Sequence, residues 1–226
     1  MFAPIFACLI GCGQQVSVTV QAEAGAQARA ETHFTMVASD PNVKPRNPDY
    51  LALSAAVARA LASQGFEEAK APEAGDLVVV IDWMVGEPKV VARHAGGDIG
   101  QPAVAGAAPG GRGGMPVGGT NNAASFGFGV EGNDRGEVVY NRTVTLKGVD
   151  RAAYMADPMA KPAWSMILTS EGDSDDVPKF APSMVAAAMP YIATNAGKVR
   201  ARLGSTEDSV KYVRGDIPTL PARKPQ

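Results

Sequence analysis

Cysteine, histidine, aromatic side chains and net charge are all scarce in this chain. Of its 226 residues only two are Cys and two are His, aromatics make up 6%, and the formal net charge is -2. Both cysteines, Cys8 and Cys12, lie at the extreme N-terminus. The remainder therefore offers neither a thiol nucleophile nor Cys-ligated zinc, and it suits an oxidising compartment, where a spare thiol is a liability. The two histidines, His33 and His94, are far apart and lack ligand-like neighbours, so a His metal site or a Ser/His/Asp triad has little material. They read as an exposed strand-edge His33 and a loop His94. A near-neutral charge with scattered Lys and Arg argues against a nucleic-acid partner. No apolar run reaches about 18 residues, the length a spanning helix needs.

What is present begins at the N-terminus. Residues 2–10 form an apolar stretch of signal-peptide length, ending in Leu9-Ile10-Gly11-Cys12. Signal peptidases need small side chains near the cut, and a lipoprotein is acylated on its new N-terminal cysteine. The tetrapeptide matches the bacterial lipobox at all four positions, which makes Cys12 the expected lipidation site and Cys8 part of the departing signal. The first basic residue is Arg29, so the positive segment of a signal peptide is expected upstream of Met1. The competing reading is a cytosolic chain carrying a chance tetrapeptide.

Val16, Val18 and Val20 alternate with polar residues, the period of a strand, and Thr32 to Val37 reads as a second. Asn47-Pro48 opens a helix over about 48–64, with Leu53, Val57 and Leu61 on one stripe. Gly65 is its cap, and Phe66 folds back onto the last turn. Leu77 to Val85 reads as a central strand buried on both faces at first, and strands follow in Glu137–Val149 and Ala163–Thr169. A helix is expected after Asp175-Asp176, split by Pro190 and resuming through Tyr191, Ile192 and Val199. Residues 95–136 hold 14 of the 25 glycines and read as a disordered insert in an expanded hairpin. The fold class is therefore α+β: a small antiparallel or mixed sheet with two helices packed on one face. Residues 1–15 are a signal remnant and tether, 16–203 a single domain, and 204–226 a flexible tail.

Candidate chemistry is thin. Gly127-Phe128-Gly129-Val130-Glu131-Gly132 matches G-x-G-x-x-G but leads to a strand rather than a helix, so chance is favoured. Glu171, Asp173, Asp175 and Asp176 lack the plan of an EF-hand and read as carboxylates at a helix N-terminus. Asn141-Arg142-Thr143 is an empty glycosylation match in a bacterial lipoprotein. Trp83 and Trp164 read as core.

Several short motifs carry a family resemblance: Ala60 to Phe66, Gly75 to Val79, Val144 to Asp150, Pro162 to Ser165 and Tyr191 to Lys198, together with the lipobox. With these the chain resembles the bacterial envelope lipoproteins of the domain of unknown function 4136 over most of residues 16–200. The resemblance implies location and fold but no activity. The long glycine-rich insert departs from the family pattern.

The reading is a non-catalytic binding or scaffolding module in the bacterial envelope, lipid-anchored through Cys12, with a possible envelope protein partner and no cofactor, metal or catalytic residue. By resemblance to other such lipoproteins, Gly13 rather than an Asp after the anchor would permit sorting to the outer membrane, facing the periplasm. A lipid- or glycan-binding domain is the alternative, expected to show an apolar pocket lined from Trp83, Trp164 and Met166. A carboxylate hydrolase is the third, expected to show a cleft with two converging acids, one with a raised pKa.

Overall fold

The computed structural model describes residues 15–91 and 137–221. Cys8, Cys12, Gly13, His94, the 127–132 glycines and the whole of the 95–136 insert fall outside them. By their contacts the described residues 15–89 and 138–221 belong to one compact unit.

Strands β1 (Gln15–Ala24) and β2 (His33–Ala38) precede helix α1 (Pro48–Ser63), the short β3 (Glu67–Glu68) and β4 (Leu77–Val85). Then come β5 (Lys89–Val91), β6 (Glu137–Asp150), α2 (Arg151–Ala156), β7 (Trp164–Gly172), α3 (Val177–Ala188), β8 (Gly197–Gly204) and α4 (Asp208–Arg214). Seven strands run in the order β3-β2-β4-β6-β7-β1-β8. The sheet is mixed: β2 runs parallel to β3 and β4, with α1 as the crossover, and the pairs from β4 to β8 are antiparallel. The fold is α+β, and β4 lies between β2 and β6, inside the sheet as its apolar run implies.

Register explains the core. Pairing places Ile81, Leu146, Met166 and Ala22 in one row across four strands, and Val144, Leu168 and Val20 in the next. All are essentially inaccessible to solvent. Against this face lie α1 and α3, which contact each other, and α4, which contacts both. Thr145, Ile167 and Gln21 form a matching row on the opposite face. There Val78 and Val149 are also buried, and α2 contacts β4.

Helix α1 is built as its sequence dictates. Asn47 accepts hydrogen bonds from the amides of Asp49 and Tyr50, at 2.9 and 3.1 Å, satisfying donors that the first turn cannot pair. Gly65 closes the helix at φ +87°, a conformation costly for a residue with a Cβ. The Gly65 amide donates to the Ala62 carbonyl and the Phe66 amide to Leu61, so Phe66 returns to the core.

Two expectations are corrected at the C-terminal end. The helix does not resume after Pro190. A 3₁₀ turn at Met189–Tyr191 ends it, and Val199 belongs to β8. Lys198, Arg200 and Arg202 alternate there with Val199, Ala201 and Leu203, which is period two rather than 3.6. The flexible tail expected over 204–226 contains α4, whose Val210 and Val213 are fully buried. This third helix joins the two expected on the core-facing side.

Candidate functional site

The ends of β2, β4 and β6 bring four ionisable groups together. Pairing of Phe34 with Leu77, and of Leu77 with Asp150, fixes the alignment of the three strands. Glu31 thus stands two residues before β2, Asp76 just before β4, and Asp150 at the junction of β6 with α2. Asp150 caps α2, accepting from the Ala153 amide at 2.7 Å, while Asp76 accepts from the His33 amide at 2.9 Å. The His33 ring lies 3.8 Å from Asp76 and 3.7 Å from Glu67, with its side chain half exposed.

Glu31 and Asp150 are hydrogen-bonded carboxyl to carboxyl, and their environments push them apart. Burial, the bond to Asp150 and the negative charges of Asp150 and Asp76 raise Glu31 from an ordinary 4.5 to about 7. The Ala153 amide, chiefly, holds Asp150 below the ordinary carboxylate range. Below about pH 7 the pair therefore holds one proton, on Glu31 in preference to Asp150, because two adjacent carboxylates cannot both ionise cheaply. Chemically it is a proton store beside an exposed imidazole.

Further back along β6, Arg142 is 4% exposed on the core-facing side. Its guanidinium carbon lies 5.0 Å above the centre of the Phe180 ring, and Nη2 is 4.0 Å from Asp173. A Cβ at position 172 would meet Nη2, so Gly172 gives the guanidinium its room. Nε has no hydrogen-bond partner, and neither has the hydroxyl of buried Ser170, its partner in register. Burial lowers the pKa of Arg142, while Asp173 and Asp175 oppose that shift.

The expected acidic group resolves by position. Asp173 faces Arg142, and Asp176 sits at the N-terminus of α3 with Lys179 at 3.2 Å. Asp175 acts on Arg142 through its charge, and Glu171 is the last but one residue of β7, on the open face. Among the described residues no three His, Cys, Asp or Glu side chains are grouped to hold a metal ion.

Trp164 and Met166 are core residues, each 1% exposed. Trp164 packs so close to Gly148 that a Cβ there would collide with the indole ring. Trp83 is partly buried and stacks on Tyr50, ring centres 6.4 Å apart. Four surface hollows stand out. The largest, about 550 Å³, includes the edge of Trp164 among Glu23, Lys161 and Asn195; the next, about 400 Å³, is polar, with Ser17, Thr19, Thr169, Glu171 and Arg200. Of the remaining two, one runs beside Tyr50 and Ser54, the other beside Arg142 and Lys179. Trp83 and Met166 line none of the four, so the apolar pocket expected for a lipid ligand is not among them. Glu31 and Asp150 line none either: the converging acids are present, outside these hollows.

Sequence reasoning missed the Glu31–Asp150 pair and the burial of Arg142. The one local signal was Asp150 followed by helix-compatible residues, the pattern of an N-cap.

No protein-family model matches the chain, and neither does any curated protein. Among solved structures the chain is similar to a dodecamer of PelC from Paraburkholderia phytofirmans. Identity is 18%, the match covers 78% of this chain and 98% of that one, and the TM-score is 0.38. It is also similar to a PDZ domain protein from Parabacteroides distasonis, at 12% identity over 85% of this chain and 40% of that one, with a TM-score of 0.39. Likenesses this distant assign neither a family nor a function.

Proposed function

We propose that this chain is an envelope lipoprotein, anchored to the bacterial membrane through Cys12, whose α+β body binds or scaffolds another envelope component without catalysing a reaction. The tetrapeptide Leu9-Ile10-Gly11-Cys12 carries the reading, together with a cysteine-free remainder. No helix of the described residues is long and apolar enough to cross a membrane, and an acyl chain on Cys12 supplies the attachment in its place. Gly13 after the anchor favours the outer membrane, facing the periplasm.

The body supports binding over chemistry. Across β1 and β7 its second sheet face is mostly polar, presenting Ser17, Thr19 and Gln21 beside Ser165 and Thr169, with Ile167 exposed among them. Glu31 and Asp150 line none of the four hollows described above. Metabolic labelling with a palmitate analogue in a Gram-negative host tests the anchor. The wild-type chain takes up label and sediments with membranes, and Cys12→Ser loses both. Label persisting in Cys12→Ser contradicts the proposal.

A further inference from the structure

β8 ends the sheet. Its eight residues, Gly197–Gly204, pair with β1 along one side, and no described strand pairs with the other. Half of its backbone amides and carbonyls therefore face outward, a template for one more strand. Lys198, Arg200 and Arg202 alternate along the strand, all exposed on the open face of the sheet.

No acidic side chain stands directly opposite these charges, although Glu171 shares a hollow with Arg200. In register they face Gln21, Thr19 and Ser17 of β1, none of them acidic. Arg200 Nε donates to the Ser17 hydroxyl at 3.1 Å, and none of the three cations makes an ion pair with a described carboxylate. A row of three cations along an unpaired edge repels a second copy of itself. The same row attracts a strand whose alternate residues are acidic, since directly opposed side chains on neighbouring strands lie about 5 Å apart.

We propose that the outer edge of β8 binds an extended acidic segment of another protein as an added strand, main-chain hydrogen bonds giving affinity and the Lys198, Arg200 and Arg202 row giving selectivity. This deepens the binding role proposed above and rests on it. It needs no anchor, so the test below and the Cys12 test fail independently.

The full chain is titrated with a fluorescent peptide of four Val-Glu repeats. The same peptide with two central valines replaced by proline keeps every charge but cannot complete a ladder. Dextran sulfate serves as a polyanion without a peptide backbone. The Val-Glu peptide binds and slows hydrogen exchange of outward β8 amides. The proline peptide and the Arg200→Glu/Arg202→Glu variant each weaken binding by roughly tenfold or more. Binding of the proline peptide or of dextran sulfate as tight as that of the ladder-forming peptide overturns the proposal, since charge alone then suffices. No binding of the Val-Glu peptide overturns it as well. Both peptide comparisons use the wild-type chain, so they hold whether or not the double variant folds.

Discussion

Glu31 keeps a proton that a solvated glutamate gives up, and this makes stability depend on pH with a definite sign. The folded carboxyl titrates near 7 and the unfolded one near 4.5. The native state binds the extra proton between those values, so the contribution is fully present below about 4.5 and is lost as pH rises through about 7. Glu31→Gln preserves the neutral, hydrogen-bonding form and removes the titration. Thermal midpoints of both proteins from pH 4.5 to about pH 8 check this. Wild type loses stability relative to Glu31→Gln across that window, and parallel curves contradict the assignment. None of this is legible in the sequence, where Glu31 and Asp150 lie far apart and meet only through the register of β2, β4 and β6. Arg142 was hidden for a similar reason. Its place in an alternating strand is plain, but which face is inward depends on partners.

At the scale of elements, local chemistry was readable wherever it decided the outcome. Asn47-Pro48 and Gly65-Phe66 bracket α1 because the caps themselves satisfy its terminal backbone groups. Helix α4 carries the same marks in miniature: Asp208 in the first turn, Lys211 and Arg214 in the last, and Gly215 at φ +93°. It is too short to stand alone, so its formation depends on packing. Arg59 of α1 donates to the Val213 carbonyl at 3.0 Å, tying the two helices. At about 0.8 kcal/mol per buried CH₂, Val210→Ala/Val213→Ala costs about 3 kcal/mol if the sites add. Chemical denaturation reads that loss directly. A variant as stable as wild type means that the segment contributes nothing to the body.

At the scale of the molecule, the sheet separates two tasks. One face carries the core beneath α1, α3 and α4, and the other is largely hydrophilic and ends at the basic edge of β8. The α+β class was legible from strand and helix periods. The mixed order was not, because the parallel step from β2 to β4 across α1 leaves no local trace. The proposed anchor is the reverse case, read entirely from four consecutive residues. The mass of the N-terminal peptide from chain extracted out of membranes of an expressing Gram-negative host tests it most directly. A mature chain beginning at Cys12 is expected, its thiol carrying diacylglycerol and its amine an acyl group. An unmodified Cys12, still preceded by Gly11, would contradict it.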